Sequence, residues 1–349
     1  MGAVLRVTFL ADGAVDRTLD YQRYYLLGLE RTCRLRFADL PAILRFIPGA
    51  DAKVRVARRL DGSRLVGNAR DSGHVRRYLA DDDGLTRRFA IDARDNRAVL
   101  DQEVLDWSEV YFKANRWPTE QYDPKVVPIV NGNGVLDWSR IAHLRNLRDR
   151  PKDIDVVFIS RIWGGREHNV RLFEELARLG ARSDLHAILP HGADPEDDRA
   201  ITARLERVGV KCNYETVPPD ELWDRLSRAR IVVFRSGMHL CIPWRMVDLL
   251  AMGACILFDA RPLPQWPEPL EAGVHYAEMG IERPPFSPPE PTEYAKVGPA
   301  VEALLADGAR AAELRRNAAV YFDAHAAPER VGEYILETLR THKTFTDLG

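Results

Sequence analysis

Apolar and polar positions alternate along the chain in short β-branched runs and in longer stretches of helical period. Ile231-Val232-Val233-Phe234 has the length and composition of a buried strand. Ser236-Gly237 makes the following turn, and Pro243 stands where a helix can begin. Trp244, Met246, Val247, Leu249, Leu250 and Met252 give that helix an apolar face, and Gly253 ends it. Cys255-Ile256-Leu257-Phe258 starts the next strand, which completes a βαβ unit. Its helix carries two charges, Arg245 and Asp248, among apolar neighbours, a costly arrangement unless something pairs with them.

The same alternation extends in both directions. Toward the N-terminus it predicts strands over 4–10, 33–37, 88–92, 109–113 and 126–130, with helices over 21–30 and 99–107. The run 54–56 reads as a strand, and RDSGHVRRYLADDDG as a surface helix with an acidic end. Asn131-Gly132-Asn133-Gly134 and the polar run 148–153 break the series. It restarts with strands over 154–159, 185–189 and 210–214 and helices over 169–179, 198–208 and 220–227. Proline-rich loops at 262–269 and 284–291 follow the βαβ unit, and a helical tail runs from 294 to 341. Strand and helix in alternation define an α/β chain with parallel sheets covered on both faces. The predicted division is 1–147, 148–325, and a C-terminal helix over 326–349 that returns to the first domain.

Composition narrows the function classes. A chain of 349 residues, 46% of them hydrophobic, can build two cores. A formal net charge of -2 supplies no basic field for nucleic acid or an anionic membrane, and no apolar run reaches the roughly 18 residues of a membrane span. Cys33, Cys212, Cys241 and Cys255 are scattered and the histidines lack ligand spacing. Neither a disulfide framework nor a metal site is expected, and the expected location is cytoplasmic.

Two groups of residues carry candidate chemistry. Strand 155–159 runs into Ser160-Arg161-Ile162-Trp163-Gly164-Gly165-Arg166, where two guanidinium groups flank a glycine turn suited to a diphosphate. Alternatively both are surface charges. Arg245 and Asp248 share a helix face; Asp248 is placed to accept ribose hydroxyls and Arg245 to neutralise phosphate, or the two simply pair with each other. No first turn reads GxGxxG, which argues against a dinucleotide-dependent dehydrogenase.

Several stretches resemble GT-B fold glycosyltransferases of the group-1 (family-4-like) type. ISRIWGGREHN resembles their phosphate-binding turn, with Arg166 where lysine is usual. ILPHGADPEDD, YETVPPDELWDRLSRARIVVFRSG and VDLLAMGACILF follow in the group's order. The SG…R..D..A.GA pattern and RFAIDARDNRAVLDQEVLDWSEVYFKANRW resemble the spore-maturation-type branch, and NGNGVLDWSRI its interdomain linker. The resemblance implies two Rossmann-like domains facing a cleft, with a nucleoside-diphosphate sugar held by the C-terminal one. It implies metal-independent sugar transfer to an acceptor hydroxyl on a small molecule, glycan or natural product, with no cofactor beyond the donor. Oligomeric state stays open.

Carried over by position, Arg161, Arg166, Ser236, Gly237, His239, Arg245 and Asp248 are donor-binding residues, Asp248 standing where the group has glutamate. The group's other glutamate falls at Leu240, which cannot bind a hydroxyl and opens two alternatives: a non-catalytic sugar-nucleotide-binding protein, or an epimerase of the same fold. Backbone N–H groups of the 236–239 turn are then expected to meet sugar or phosphate. On the acceptor side, Asp12 is the first candidate base, with Asp92 and then Asp95 behind it, and Lys113 an acceptor or phosphate contact. Trp163, inside the phosphate turn, and Trp266, in a proline-rich loop placed to border the cleft, are the tryptophans to test.

Overall fold

The computed structural model describes residues 5–11, 20–60, 74–82, 84–162, 166–189, 195–237, 239–259, 263–281 and 291–342. They form two compact units. Met1–Ile141, Pro264–Pro269 and Asp323–Gly349 make the first, and Ala142–Leu263 with Leu270–Phe322 the second.

The first unit runs β1 (Arg6–Leu10), α1 (Asp20–Thr32), β2 (Arg34–Ala38), α2 (Ala42–Arg45), α3 (Ala50–Arg59), β3 (Val75–Asp82), β4 (Leu85–Asp92), α4 (Gln102–Trp107), β5 (Val110–Lys113) and β6 (Val126–Pro128). Its sheet has the order β2-β1-β3-β4-β5-β6. Two expectations are corrected here. The 54–56 run lies in α3, where Ala50, Val54 and Ala57 are buried at helical spacing. The charged stretch expected as a helix is β3, antiparallel to both β1 and β4, so this sheet is mixed.

Aromatic packing explains β3. Tyr78 lies opposite Phe9 and Phe89, and a row of rings crosses the sheet from Phe37 through Phe9, Tyr78, Phe89 and Phe112. Successive centroids are 5.6, 5.3, 4.8 and 5.9 Å apart, within the range of favourable aromatic pairs. Cross-strand pairing of this kind outweighs the helical propensity of arginine and alanine. Buried Gln22 of α1 secures β3 further, accepting from the Tyr78 hydroxyl at 2.8 Å and donating to the Ile91 carbonyl at 3.2 Å. On the other face, Val75, Ala90, Tyr111 and Val126 pack with Val104 and Leu105 of α4. Pro128 closes β6 at the edge of the sheet, where its missing donor does no harm.

After α5 (Trp138–Asn146) the second unit runs β7 (Ile154–Arg161), α6 (Arg166–Ala177), β8 (Ser183–Ile188), α7 (Pro195–Glu206), β9 (Lys211–Asn213), α8 (Pro219–Ser227), β10 (Ala229–Phe234), α9 (Met246–Ala251), β11 (Ile256–Phe258) and β12 (Ala277–Glu278). A 3-10 turn (Pro291–Lys296), α10 (Val297–Ala306) and α11 (Gly308–Tyr321) complete it. Its six strands are all parallel, in the order β12-β11-β10-β7-β8-β9. Their sequences read as continuous apolar runs because helices cover both faces: Val156, Phe158, Ile231 and Val233 are buried with Phe173 of α6 and Val301 of α10.

A π-helical turn (Phe322–Ala326) leads into α12 (Pro328–Thr341), which packs on α1 of the first unit. The two helices cross at Gly28 and Gly332, where a Cβ on either residue would run into the other helix's backbone. Tyr24 donates to the Ala326 carbonyl at 2.5 Å, and Tyr334 extends the aromatic row, 6.0 Å from Phe112.

Candidate functional site

In the second unit β7, β8 and β9 run outward on one side, and β10, β11 and β12 on the other. The order reverses between β7 and β10, and in doubly wound sheets ligands bind at such a switch point, outside the carboxyl ends of the strands. Arg161 is the last residue of β7, and Ser236 follows the end of β10. Val232 pairs with Val157, and continuing that register sets Ser236 level with Arg161.

Arg161 is exposed, and among the described residues its guanidinium makes no hydrogen bond or ion pair. Arg245 caps α9 half-buried, its guanidinium 5.2 Å from the Trp244 ring centroid. Burial lowers the Arg245 pKa, the Asp248 carboxylate raises it in part, and the like charge of Arg161 lowers it again. Arg245 therefore feels both Asp248 and Arg161. Asp248 itself is buried, with Oδ2 accepting from Trp223 Nε1 of α8 at 3.0 Å. Among the described residues neither arginine forms an ion pair with a carboxylate, and guanidinium groups of this kind suit an anionic partner.

The turn after β10 is tightly built. The Gly237 amide donates to the Cys241 carbonyl at 3.1 Å, and a Cβ on Gly237 would collide with Cys241 Sγ. Leu240 is buried with φ +54°, a strained backbone for leucine, while His239 beside it is exposed. The Ser236 amide donates to Asp259 Oδ1 at 2.6 Å. The expectation that the backbone amides of this turn meet the ligand is thus corrected for Ser236 and Gly237, whose N–H groups are already used. Ser236 Oγ is buried and has no hydrogen-bond partner.

Sequence reasoning missed what holds Asp259. Its Oδ2 lies 3.0 Å from Nε2 of His168 in α6, and His168 Nδ1 lies 2.8 Å from the Tyr294 hydroxyl. Burial pushes the Asp259 carboxyl up in pKa, but His168, the Ser236 amide and the charge of Arg235 more than offset it, leaving it below the usual carboxylate range. The available signal was an acidic residue directly after a strand, the same that marked Asp92. Its partner lies 91 positions away and leaves no local pattern.

In the first unit the structure brings Asp92 and Lys113 together at the ends of β4 and β5, 3.1 Å apart and both with no exposed side-chain surface. Arg94 donates to both Asp92 oxygens, at 3.0 and 3.3 Å, and the Tyr111 hydroxyl donates to Oδ2 at 2.9 Å. Burial raises the Asp92 pKa, and Lys113 and Arg94 outweigh burial to hold it below the usual range. The expectations for this pair are corrected. Asp92 is a saturated anion rather than a proton acceptor, and Lys113 is its buried counter-ion rather than an acceptor contact. Trp266, expected at a cleft edge, is fully buried. Asp12 and Trp163 lie outside the described residues; Arg166 opens α6, but its side chain also lies outside them. Among the described residues no histidine, cysteine and carboxylate cluster could hold a metal ion, and no helix is long and apolar enough to cross a membrane.

These features define the second unit as a doubly wound, Rossmann-like α/β domain with Arg161 at the end of one switch-point strand and Ser236 after the other. No family model and no curated protein matches the chain. Solved structures do. Anabaena HepE, in complex with UDP and glucose, is 15% identical and aligns with a TM-score of 0.47 over 68% of this chain and 65% of that one. A glycosyltransferase from Rickettsia africae is 11% identical, with a TM-score of 0.43 over 67% and 64% of the two chains. TarM, a protein of S. aureus, is 14% identical, with a TM-score of 0.42 over 68% and 44%. The chain spans about two thirds of the first two proteins and under half of TarM.

Proposed function

We propose that this protein transfers a sugar from a nucleoside-diphosphate sugar to an acceptor hydroxyl. The observation that carries the reading is the pair of arginines, Arg161 at the switch point and Arg245 at the start of α9, with no carboxylate ion pair among the described residues and with the Asp248 carboxylate acting on Arg245. A nucleoside diphosphate asks for this set: cations for the diphosphate oxygens and a carboxylate for the ribose hydroxyls. When the glycosidic bond breaks, negative charge builds on the departing diphosphate, and fixed guanidinium groups stabilise it there. In this reading Arg166 adds a third cation at the start of α6, whose dipole also favours an anion, and His239 reaches the donor from the surface turn. Side chains supply the neutralising charge, so activity should survive a chelator. With Asp92 saturated, Asp12 stays the first candidate base and Asp95 the second, each tested by loss of turnover with retained donor binding in Asp12→Asn and Asp95→Asn.

Calorimetric titration with UDP-, GDP-, TDP- and ADP-sugars tests the site. One of them should bind, and Arg245→Met or Asp248→Ala should weaken it by roughly ten-fold or more, the scale of one charge-assisted hydrogen bond. Arg207→Ala, in the exposed turn after α7, should bind as the wild type does. If no nucleotide sugar binds, the reading is wrong.

A second reading has its own support. Leu240, where the resembling group has a sugar-binding glutamate, is buried and conformationally strained. A sugar-nucleotide-binding protein without turnover would tolerate that. Nucleoside-diphosphate release with a panel of hydroxyl acceptors separates the two, and donor conversion without acceptor would instead mark an epimerase.

A further inference from the structure

The proposed transfer does not use His168, yet this imidazole links a buried polar chain. Tyr294 from the 3-10 turn, His168 from α6, Asp259 from the end of β11 and the Ser236 amide from the end of β10 are linked at 2.8, 3.0 and 2.6 Å. All four residues are at most 3% exposed. With Nε2–H donating to Asp259, Nδ1 is left to accept from the Tyr294 hydroxyl. The carboxylate stays ionised, and its short bond to the Ser236 amide is charge-assisted. That bond fixes the peptide from which the Ser236 side chain projects. Among the described residues Ser236 Oγ is buried with no hydrogen-bond partner, and extending the β7–β10 register beyond Val232 and Val157 would set it level with Arg161.

We propose that His168 is a positioning residue that acts through Asp259 to hold Ser236, so that the Ser236 hydroxyl donates to the diphosphate of the bound nucleotide. The proposal rests on the donor-site reading above and extends it from the two arginines to a neutral donor set by a buried relay. Closing the Ser236 hydroxyl onto a phosphate oxygen satisfies an atom that the ligand-free chain leaves unpaired. His168 touches no ligand; its effect reaches the phosphate through two hydrogen bonds.

The test compares affinities for UDP, GDP, TDP and ADP with those for the corresponding nucleosides in wild type, His168→Leu, His168→Gln, Tyr294→Phe and Ser236→Ala. Ser236→Ala should weaken the diphosphate by roughly ten-fold while leaving the nucleoside unchanged and the thermal midpoint equal or higher, because it deletes an unsatisfied buried hydroxyl. His168→Leu should give the same selective loss, and His168→Gln, which keeps a donor toward Asp259, should recover part of it. The Ser236 amide proton, shifted far downfield by its carboxylate bond, should move upfield in His168→Leu. Should His168→Leu fail to fold, Tyr294→Phe with Ser236→Ala carries the comparison. Equal losses for nucleoside and diphosphate, or no loss in Ser236→Ala, overturn the relay alone. If the wild type binds none of the four diphosphates, the donor-site reading falls and the relay falls with it.

Discussion

Asp92 ties the ends of two strands together through Lys113, Arg94 and Tyr111, with both charged side chains of the Asp92–Lys113 pair fully buried. Removing one partner of such a pair strands a buried charge, at a cost of about 3–5 kcal/mol. Asp92→Asn and Lys113→Met should therefore each lower the urea midpoint strongly. The pH dependence has a definite sign. The folded-state pKa of Asp92 lies below its unfolded value, near 3.9, so its stabilisation is complete above about pH 4 and drains away as pH falls through the folded-state pKa. Unfolding curves between about pH 5 and pH 2 should steepen in acid for the wild type, and less so for Asp92→Asn. The thiols give a second check at this scale. Burial pushes Cys33 up to about 12 and Cys255 up to about 11, so both should resist alkylation at neutral pH until the protein unfolds.

At the scale of elements, the crossing of α1 and α12 has no room for a side chain. Gly332→Val should cost on the order of 1–3 kcal/mol by overpacking, and Gly28→Val the same or more, read as falls in thermal midpoint. Tyr78→Ala should cost about 3–5 kcal/mol, because it breaks the aromatic row between Phe9 and Phe89. The second unit's strands were legible because parallel strands buried on both faces are written as plain apolar runs. β3 was not. Its Arg76, Arg77 and the acidic end mimic a solvated helix, and the rings that decide the matter, Phe9 and Phe89, lie far from Tyr78 in sequence or in another strand. The α3 error has the opposite origin: two valines suggested a strand, while the helical spacing of Ala50, Val54 and Ala57 went unread. Of the candidate site, Arg161, Arg245 and Asp248 were visible as charges after strands or among apolar neighbours. The Tyr294–His168–Asp259 chain was invisible, since it joins residues of three distant segments through side chains alone.

For the whole molecule, each unit has its own sheet and core, so a nucleotide bound at the switch point should protect one of them selectively. Hydrogen exchange with a saturating donor should slow 154–161 and 229–259, and leave 75–92 unchanged. At a hundred times its dissociation constant such a ligand contributes about 2.7 kcal/mol, enough to separate the unfolding of the two units in a thermal scan.

The first unit is also discontinuous: its last segment, Asp323–Gly349, lies beyond the whole of the second. A ribosome releases chain from the N-terminal end, so the earlier half must wait with Gly28 and the Phe112 end of its aromatic row uncovered until α12 emerges. The second unit, although later in the message, is the first that can finish folding. Released chains truncated at residue 325 should then carry a protease-resistant second unit behind a still-cleavable N-terminal one.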